Sequence, residues 1–280
     1  MQPWQTTEPV QLQQIADRIR TSVILSLTEA GSGHLGGSLG LADLFTTLYF
    51  SELNHNPLIP AWPSRDRVVL SIGHVAPVLY ATLAHTGYFP VEELLTLRKI
   101  GSRLQGHPGR DHGLPGLELS AGSLGQGLSV AVGMALTAKS DGKNHRIYSI
   151  HGDGELQEGS IWEAAMAAAH HNLDNLTAII DRNGLQIDGS TEKVMRLEPL
   201  CEKWQSFGWH VVECNGNHIV EILEAFRQTR SVIGKPTLII AKTLMGKGVR
   251  SIENDYRWHG RVPSRDQAAG FISELENRKI

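Results

Sequence analysis

The chain has 280 residues, 41% of them hydrophobic and 20% charged, with a net charge of −3 and a pI near 6.5. That composition describes a globular chain with a sizeable core, and it excludes a general polyanion-binding surface: no basic run is dense enough for nucleic acid. Cys201 and Cys214 form neither a disulfide framework nor a Cys-x-x-Cys pair, the first residues do not resemble a signal peptide, and no apolar run approaches the ~18 residues of a membrane span. A soluble protein of a reducing compartment, the cytoplasm, is expected.

In chain order, residues 1–10 read as an extended tail. Over residues 11–30, Leu12, Ile15, Ile19, Val23 and Leu27 form one helical stripe that Gly31-Ser32-Gly33 stops. A second helix is expected over 40–50. Val68 to Ile72 predicts a short buried strand running into Gly73-His74, and 75–85 and 91–99 read as helices. Residues 101–122, rich in Gly, Pro and His, predict a long irregular loop, which in a compact domain is usually functional. A helix from about Leu124 to Lys139 is followed by a strand over 146–150, a helix from Glu158 to Leu173 and a strand over 176–180. Two further strands, 209–213 and 237–241, flank a helix near 218–231, and Ser264 marks a last helix start. No linker or internal repeat interrupts the alternation. One α/β domain spanning 1–280, built on a mostly parallel sheet, is the predicted architecture.

Two residues in that frame carry chemistry. Asp153, in Gly152-Asp153-Gly154, and Asn183, in Asp181-Arg182-Asn183-Gly184, each follow a predicted strand, with the crossover helix between them. In open α/β sheets the ligand crevice lies outside the carboxyl ends of the strands. A carboxylate and an amide oxygen converging there suit Mg²⁺ that is also held by a diphosphate. The glycine turns at 31–37 and 120–127 allow close backbone approach to an anionic or flat ligand, or equally tight helix–sheet packing. Neither fits a Walker A loop or a dinucleotide fingerprint.

Histidine placement is the second signal. Of 13 histidines, His34, His74, His107 and His259 all stand beside glycine in turns, where imidazoles are available to ligand oxygens and to proton transfer. A zinc site would require a His-Glu-x-x-His run or paired cysteines, and neither occurs.

These residues together resemble a known family. Gly152-Asp153-Gly154 with Asn183 thirty residues after Asp153 looks like the thiamine-diphosphate motif. Ser32-Gly33-His34, Gly73-His74, Gly106-His107-Pro108, Gly122 to Gly127, Asp153 to Gly159 and Trp258-His259-Gly260 stand in the order and spacing of the N-terminal, diphosphate-binding domain of transketolase. The resemblance covers roughly residues 10 to 262. It implies a three-layer α/β/α fold and Mg²⁺ (Ca²⁺ or Mn²⁺ as substitutes) held by Asp153, Asn183 and the Leu185 carbonyl. It further implies cofactor contacts from His34, His74, Gly122, Ser123, Leu124, Asp153, Gly154, Glu155, Asn183 and His259, and catalytic proton handling by His34, His107 and His259. Glu158 and Glu163 would face a partner subunit.

The resemblance also implies what lies elsewhere. The family's pyrimidine-binding domain, with the glutamate that activates the cofactor, has no counterpart here, so a split enzyme is expected: a transketolase N-terminal subunit that works with a separate C-terminal subunit in a heterotetramer on sugar phosphates. The charged end of the chain reads as a natural terminus, with a truncated longer protein as the other possibility. Leu35 and Gly109 replace a family Pro and Glu, and Lys242, Lys247 and the run from Met245 to Asn254 look more like two-subunit members. Alternatives are a deoxyxylulose-phosphate synthase-like or 2-oxo-acid dehydrogenase-like subunit, or a non-catalytic homologue.

Overall fold

In this computed structural model, residues 2 and 4–277 are described; Met1, Pro3 and residues 278–280, parts of the expected tail and charged end, lie outside the described residues. Helix α1 (Pro9–Ala30) begins with Pro at its first position and ends at Gly31, whose φ of 66° lets its N–H bond the Leu27 carbonyl. Then come α2 (Gly36–Gly40), α3 (Ala42–Thr47), β1 (Arg67–Leu70), α4 (Ala76–Thr86), α5 (Gly127–Ser140), β2 (Ile147–Gly152), α6 (Gly159–His170) and β3 (Leu176–Arg182). A hairpin of β4 (Leu185–Gln186) and β5 (Gly189–Ser190) leads into α7 (Thr191–Val194) and α8 (Leu200–Ser206). The chain closes with β6 (His210–Asn215), α9 (Ile219–Arg230), β7 (Thr237–Lys242) and α10 (Arg265–Glu276).

Five strands form one parallel sheet in the order β1-β2-β3-β7-β6. Central strands buried on both faces need continuous apolar runs, as β2, β3 and β7 have. Their period of two sorts the side chains: Ile150, Ile179 and Ile239 pack with α1, α3, α4, α9 and α10, while Ile147, Ile180 and Ile240 pack with α5, α6 and α8. Each such fully buried side chain contributes about 1.5–3 kcal/mol. The result is the expected three-layer α/β/α arrangement.

Several elements differ from expectation. The helix expected over 40–50 is broken into α2, α3 and a wide turn at Leu48–Glu52, and the one over 91–99 is a 3₁₀ turn at Val91–Thr96. The β4–β5 hairpin, α7 and α8 carry too short a periodicity to be read from sequence. Ser264 does start α10, with a capping box to Gln267.

A buried ion pair stiffens the first face. Arg20 and Asp43, 0% and 1% exposed, meet at 2.6 Å, and Asn217 donates to both Asp43 and the Gly40 carbonyl. Removing one partner of such a pair costs about 3–5 kcal/mol. Asn217 also accepts from the Leu244 N–H, so the pair is tied to the segment leaving β7.

Candidate active site

All the chemistry-bearing turns leave the carboxyl edge of the sheet or pack beside it. Asp153 follows β2 and is 2% exposed. Its Oδ1 accepts from the Gly154 N–H at 2.8 Å, and its Oδ2 from the Gly184 N–H at 2.6 Å and Arg182 Nη1 at 3.1 Å. Asn183, just beyond β3, accepts on Oδ1 from the Leu185 N–H and donates from Nδ2 to Asp181, both at 2.8 Å. Asp153, Asn183 and Leu185 are therefore brought together by backbone bonds across one turn. Gly154 lies against Gln186: a Cβ there would stand 3.3 Å from the Gln186 Cβ.

Two residues beside this site, Asp181 and Arg182, were not singled out in the sequence. Asp181 is buried, accepts from the Thr243 hydroxyl, and is pushed up to about 7 by burial and by the neighbouring Asp153 charge. Burial likewise raises Asp153, against the pull of Gly184 and Arg182. Arg182 ties Asp153 to the segment after the hairpin, also donating to Thr191, Glu192 and Glu198 at 2.8–2.9 Å. Acid and base adjacent at a strand end were the available signal. Two buried carboxyls, Asp153 paired with Arg182 and Asp181 accepting from the neutral Thr243 and Asn183 side chains, leave negative charge poorly compensated. Together with the amide oxygen of Asn183 and the Leu185 carbonyl, that is a donor set that fits a hard divalent cation.

A second wall of the candidate site is built of imidazoles. The His34 ring centroid lies 5.1 Å from His74, 6.2 Å from His107 and 5.6 Å from His259, and His74 lies 4.8 Å from His259. Small residues allow this convergence. The Gly246 N–H donates to the Gly36 carbonyl at 2.9 Å, and a Cβ on Gly36 would come within 3.0 Å of the Trp258 carbonyl. A Cβ on Gly73 would meet the Gly122 nitrogen at 2.9 Å, and Ala121 N–H bonds the Pro108 carbonyl. The turns carrying His34, His74, His107 and His259 are thereby locked to each other and to Gly122.

Burial holds these rings neutral. It lowers His34 to about 4, with help from the charges of His259 and His107, and His74 to about 3. His107 and His259 are also lowered, chiefly by burial. The Nδ1 atoms of His34 and His259 are buried without a hydrogen-bond partner, which suits a site whose remaining partner is a ligand. Neutral imidazoles that can donate on one nitrogen and accept on the other fit hydroxyl groups.

Of the other expected residues, Gly122 and Ser123 are exposed and Leu124 half-buried in the turn before α5, while Glu158 and Glu163 are exposed on or beside α6. Glu155 faces inward instead: both its oxygens accept from protein donors, Gly125 and Gly152 among them.

Residues 11–272 match the family model described as the thiamine diphosphate binding domain of transketolase. The chain is 43% identical over 269 residues to the 6-deoxy-6-sulfo-D-fructose transketolase subunit SqwG of Clostridium sp. (strain MSTE9), covering 96% of this chain and 98% of that one. It is 43% identical over 271 residues to an apulose-4-phosphate transketolase subunit from Phocaeicola vulgatus, covering 97% and 95%. Among solved structures, transketolase from Leishmania mexicana superposes with a TM-score of 0.89 at 31% identity; the match spans 96% of this chain but 42% of that longer one.

Proposed function

The chain belongs to the transketolase family of thiamine-diphosphate-binding domains, and on that premise we propose that it is the N-terminal subunit of a two-chain, cytoplasmic transketolase. The reaction transfers a two-carbon ketol unit from a ketose phosphate to an aldose phosphate. The observation that carries this reading is the Asp153–Asn183–Leu185 oxygen set at the ends of β2 and β3, together with a cluster of four neutral imidazoles that includes His74 after β1.

Asp153, Asn183 and the Leu185 carbonyl would hold Mg²⁺, with Ca²⁺ or Mn²⁺ as substitutes, and through it the diphosphate. His74, Gly154 and the turn from Gly122 to Leu124 would line the rest of the cofactor. When bound, thiamine diphosphate supplies the electron sink that lets a carbon–carbon bond next to a carbonyl break and re-form. His34, His107 and His259 would orient sugar hydroxyls and carry their protons, which rings held neutral can do at pH 7. A polyhydroxylated sugar, rather than a pyruvate-like donor, suits so many imidazoles.

A partner chain with the pyrimidine-binding domain would complete the site, in a heterotetramer of two copies of each. Two observations support this. The Clostridium and Phocaeicola relatives named above are called subunits. On this chain, α5 carries a single charged residue, Lys139, and α6 exposes Met166 at 54%; an exposed apolar side chain on such weakly charged helices fits a covering partner. The test is ketol transfer by the chain with and without its partner. Full-rate transfer by the chain alone would end the two-chain reading, and no Mg²⁺-dependent binding of thiamine diphosphate with the partner present would end the cofactor reading.

A further inference from the structure

Glu155 is 2% exposed where the exits of β1 and β2 meet the glycine turn before α5. Its Oε1 accepts from the Ser71 hydroxyl and from the Gly125 N–H at 2.8 Å, and its Oε2 from the Gly152 N–H at 3.1 Å. The buried His151 Nδ1 stands 3.4 Å from Oε2. Ser71 extends the knot by accepting from the Gly127 N–H at 3.1 Å. Side chains are excluded around it: a Cβ on Gly127 would lie 2.5 Å from that of Ser71, and one on Gly125 would lie 2.7 Å from that of Glu158. Hydrogen bonds to an ionised acceptor are the strong ones, and here they join three segments far apart in sequence.

From this geometry we infer that Glu155 is a positioning residue. It sets the turn from Gly122 to Leu124 and the Gly73-His74 exit against Asp153-Gly154, and acts on the cofactor only through them. The inference rests on the cofactor reading above, but its core, that one carboxylate holds three loops in register, does not. Glu155→Ala leaves the Gly125 and Gly152 N–H groups and the Ser71 hydroxyl without their buried acceptor. Glu155→Gln keeps Oε1 for Ser71 and Gly125 and places an amide donor toward His151, giving up only the Gly152 bond.

Hydrogen exchange on the purified chain tests the knot. Glu155→Ala is expected to speed exchange in 71–76 and 122–128 by about tenfold or more, with 176–180 unchanged. Glu155→Gln is expected to change only 150–154. With the partner present, calorimetry of thiamine diphosphate and Mg²⁺ is expected to show binding at least about tenfold weaker for Glu155→Ala and within about threefold of wild type for Glu155→Gln. Exchange in Glu155→Ala that is unchanged, or accelerated evenly through the sheet, overturns the inference. So does exposure of 122–128 in Glu155→Gln, the arm that decides if the alanine variant does not fold. Wild-type cofactor affinity in Glu155→Ala, with affinity lost in Asp153→Ala, overturns it while leaving the cofactor reading intact. No binding by the wild type overturns the cofactor reading alone, and the exchange result still decides the knot.

Discussion

The two walls of the candidate site respond oppositely to the same physical condition. Around Asp153 and Asp181, burial pushes carboxyls up, Asp181 to about 7, and the guanidinium of Arg182 pairs with Asp153. Around His34 and His74, burial pushes imidazoles down, to about 4 and 3. Desolvation disfavours the charged form in both cases. One wall is thereby short of a cation, and the other is uncharged and rich in hydrogen-bonding nitrogens. A site with those two halves suits a ligand with a metal-bound diphosphate at one end and hydroxyl chemistry at the other.

The sharpest way to separate the walls is to remove Asp153. Asp153→Ala is expected to weaken Mg²⁺-dependent binding of thiamine diphosphate by at least about a hundredfold, since losing even an outer contact to a metal ligand costs about 10–100-fold. Calorimetry with the partner present checks this, and binding near the wild-type level would dissolve the distinction. Next in size is the imidazole wall: His34→Ala should lower kcat/KM by about a hundredfold, the lower range for a positioned proton-transfer group, with cofactor affinity within about threefold. Equal losses of cofactor affinity in both variants would show that the walls act as one.

A smaller effect lies in pH. The folded pKa values of His34 and His74, about 4 and 3, lie below the ordinary 6.5. The unfolded chain therefore binds more protons between those values. The stability from keeping the rings neutral is fully present above about pH 6.5 and is lost as pH falls toward 4. The double variant His34→Asn/His74→Asn should flatten the decline of Tm over that window; an unchanged slope would contradict it. The smallest effect is expected at the rim of the acid wall. Glu198, whose side chain is 55% exposed, pairs with Arg182 at 2.8 Å, and Glu198→Ala should cost about 1 kcal/mol or less in chemical denaturation. A larger loss would mean that the hairpin clamp matters to the fold as well as to the site.

The central strands were legible because their cores are apolar runs, and β3 and β7 lie within two residues of where periodicity places them. The hairpin at 185–190 was not, since two-residue strands have no period; the α7 turn that follows it is held by the Arg182 guanidinium, a contact that sequence spacing does not display. The helix expected over 40–50 failed for a related reason. Gly36 to Gly40 pack too closely on Leu244 and Met245 for one straight helix to be set by its own stripe.

The site divides along the same line. Asp153 and Asn183 were legible because a strand–helix–strand unit dictates that residues following both strands share one edge, whatever the rest of the chain does. The four histidines were legible only as turn residues beside glycine. Their convergence within 4.8–6.2 Å depends on loops drawn from four parts of the chain. Glu155 shows the limit most clearly: its place beside the motif suggests ligand contact, while its surroundings turn it inward. The sequence by itself determined the sheet and the edge where chemistry can occur, because local periodicity and parallel crossover connections are properties of contiguous residues. Which groups are buried together, and so which stay neutral and which want a cation, was decided only by tertiary structure, because desolvation depends on neighbours that sequence distance does not encode.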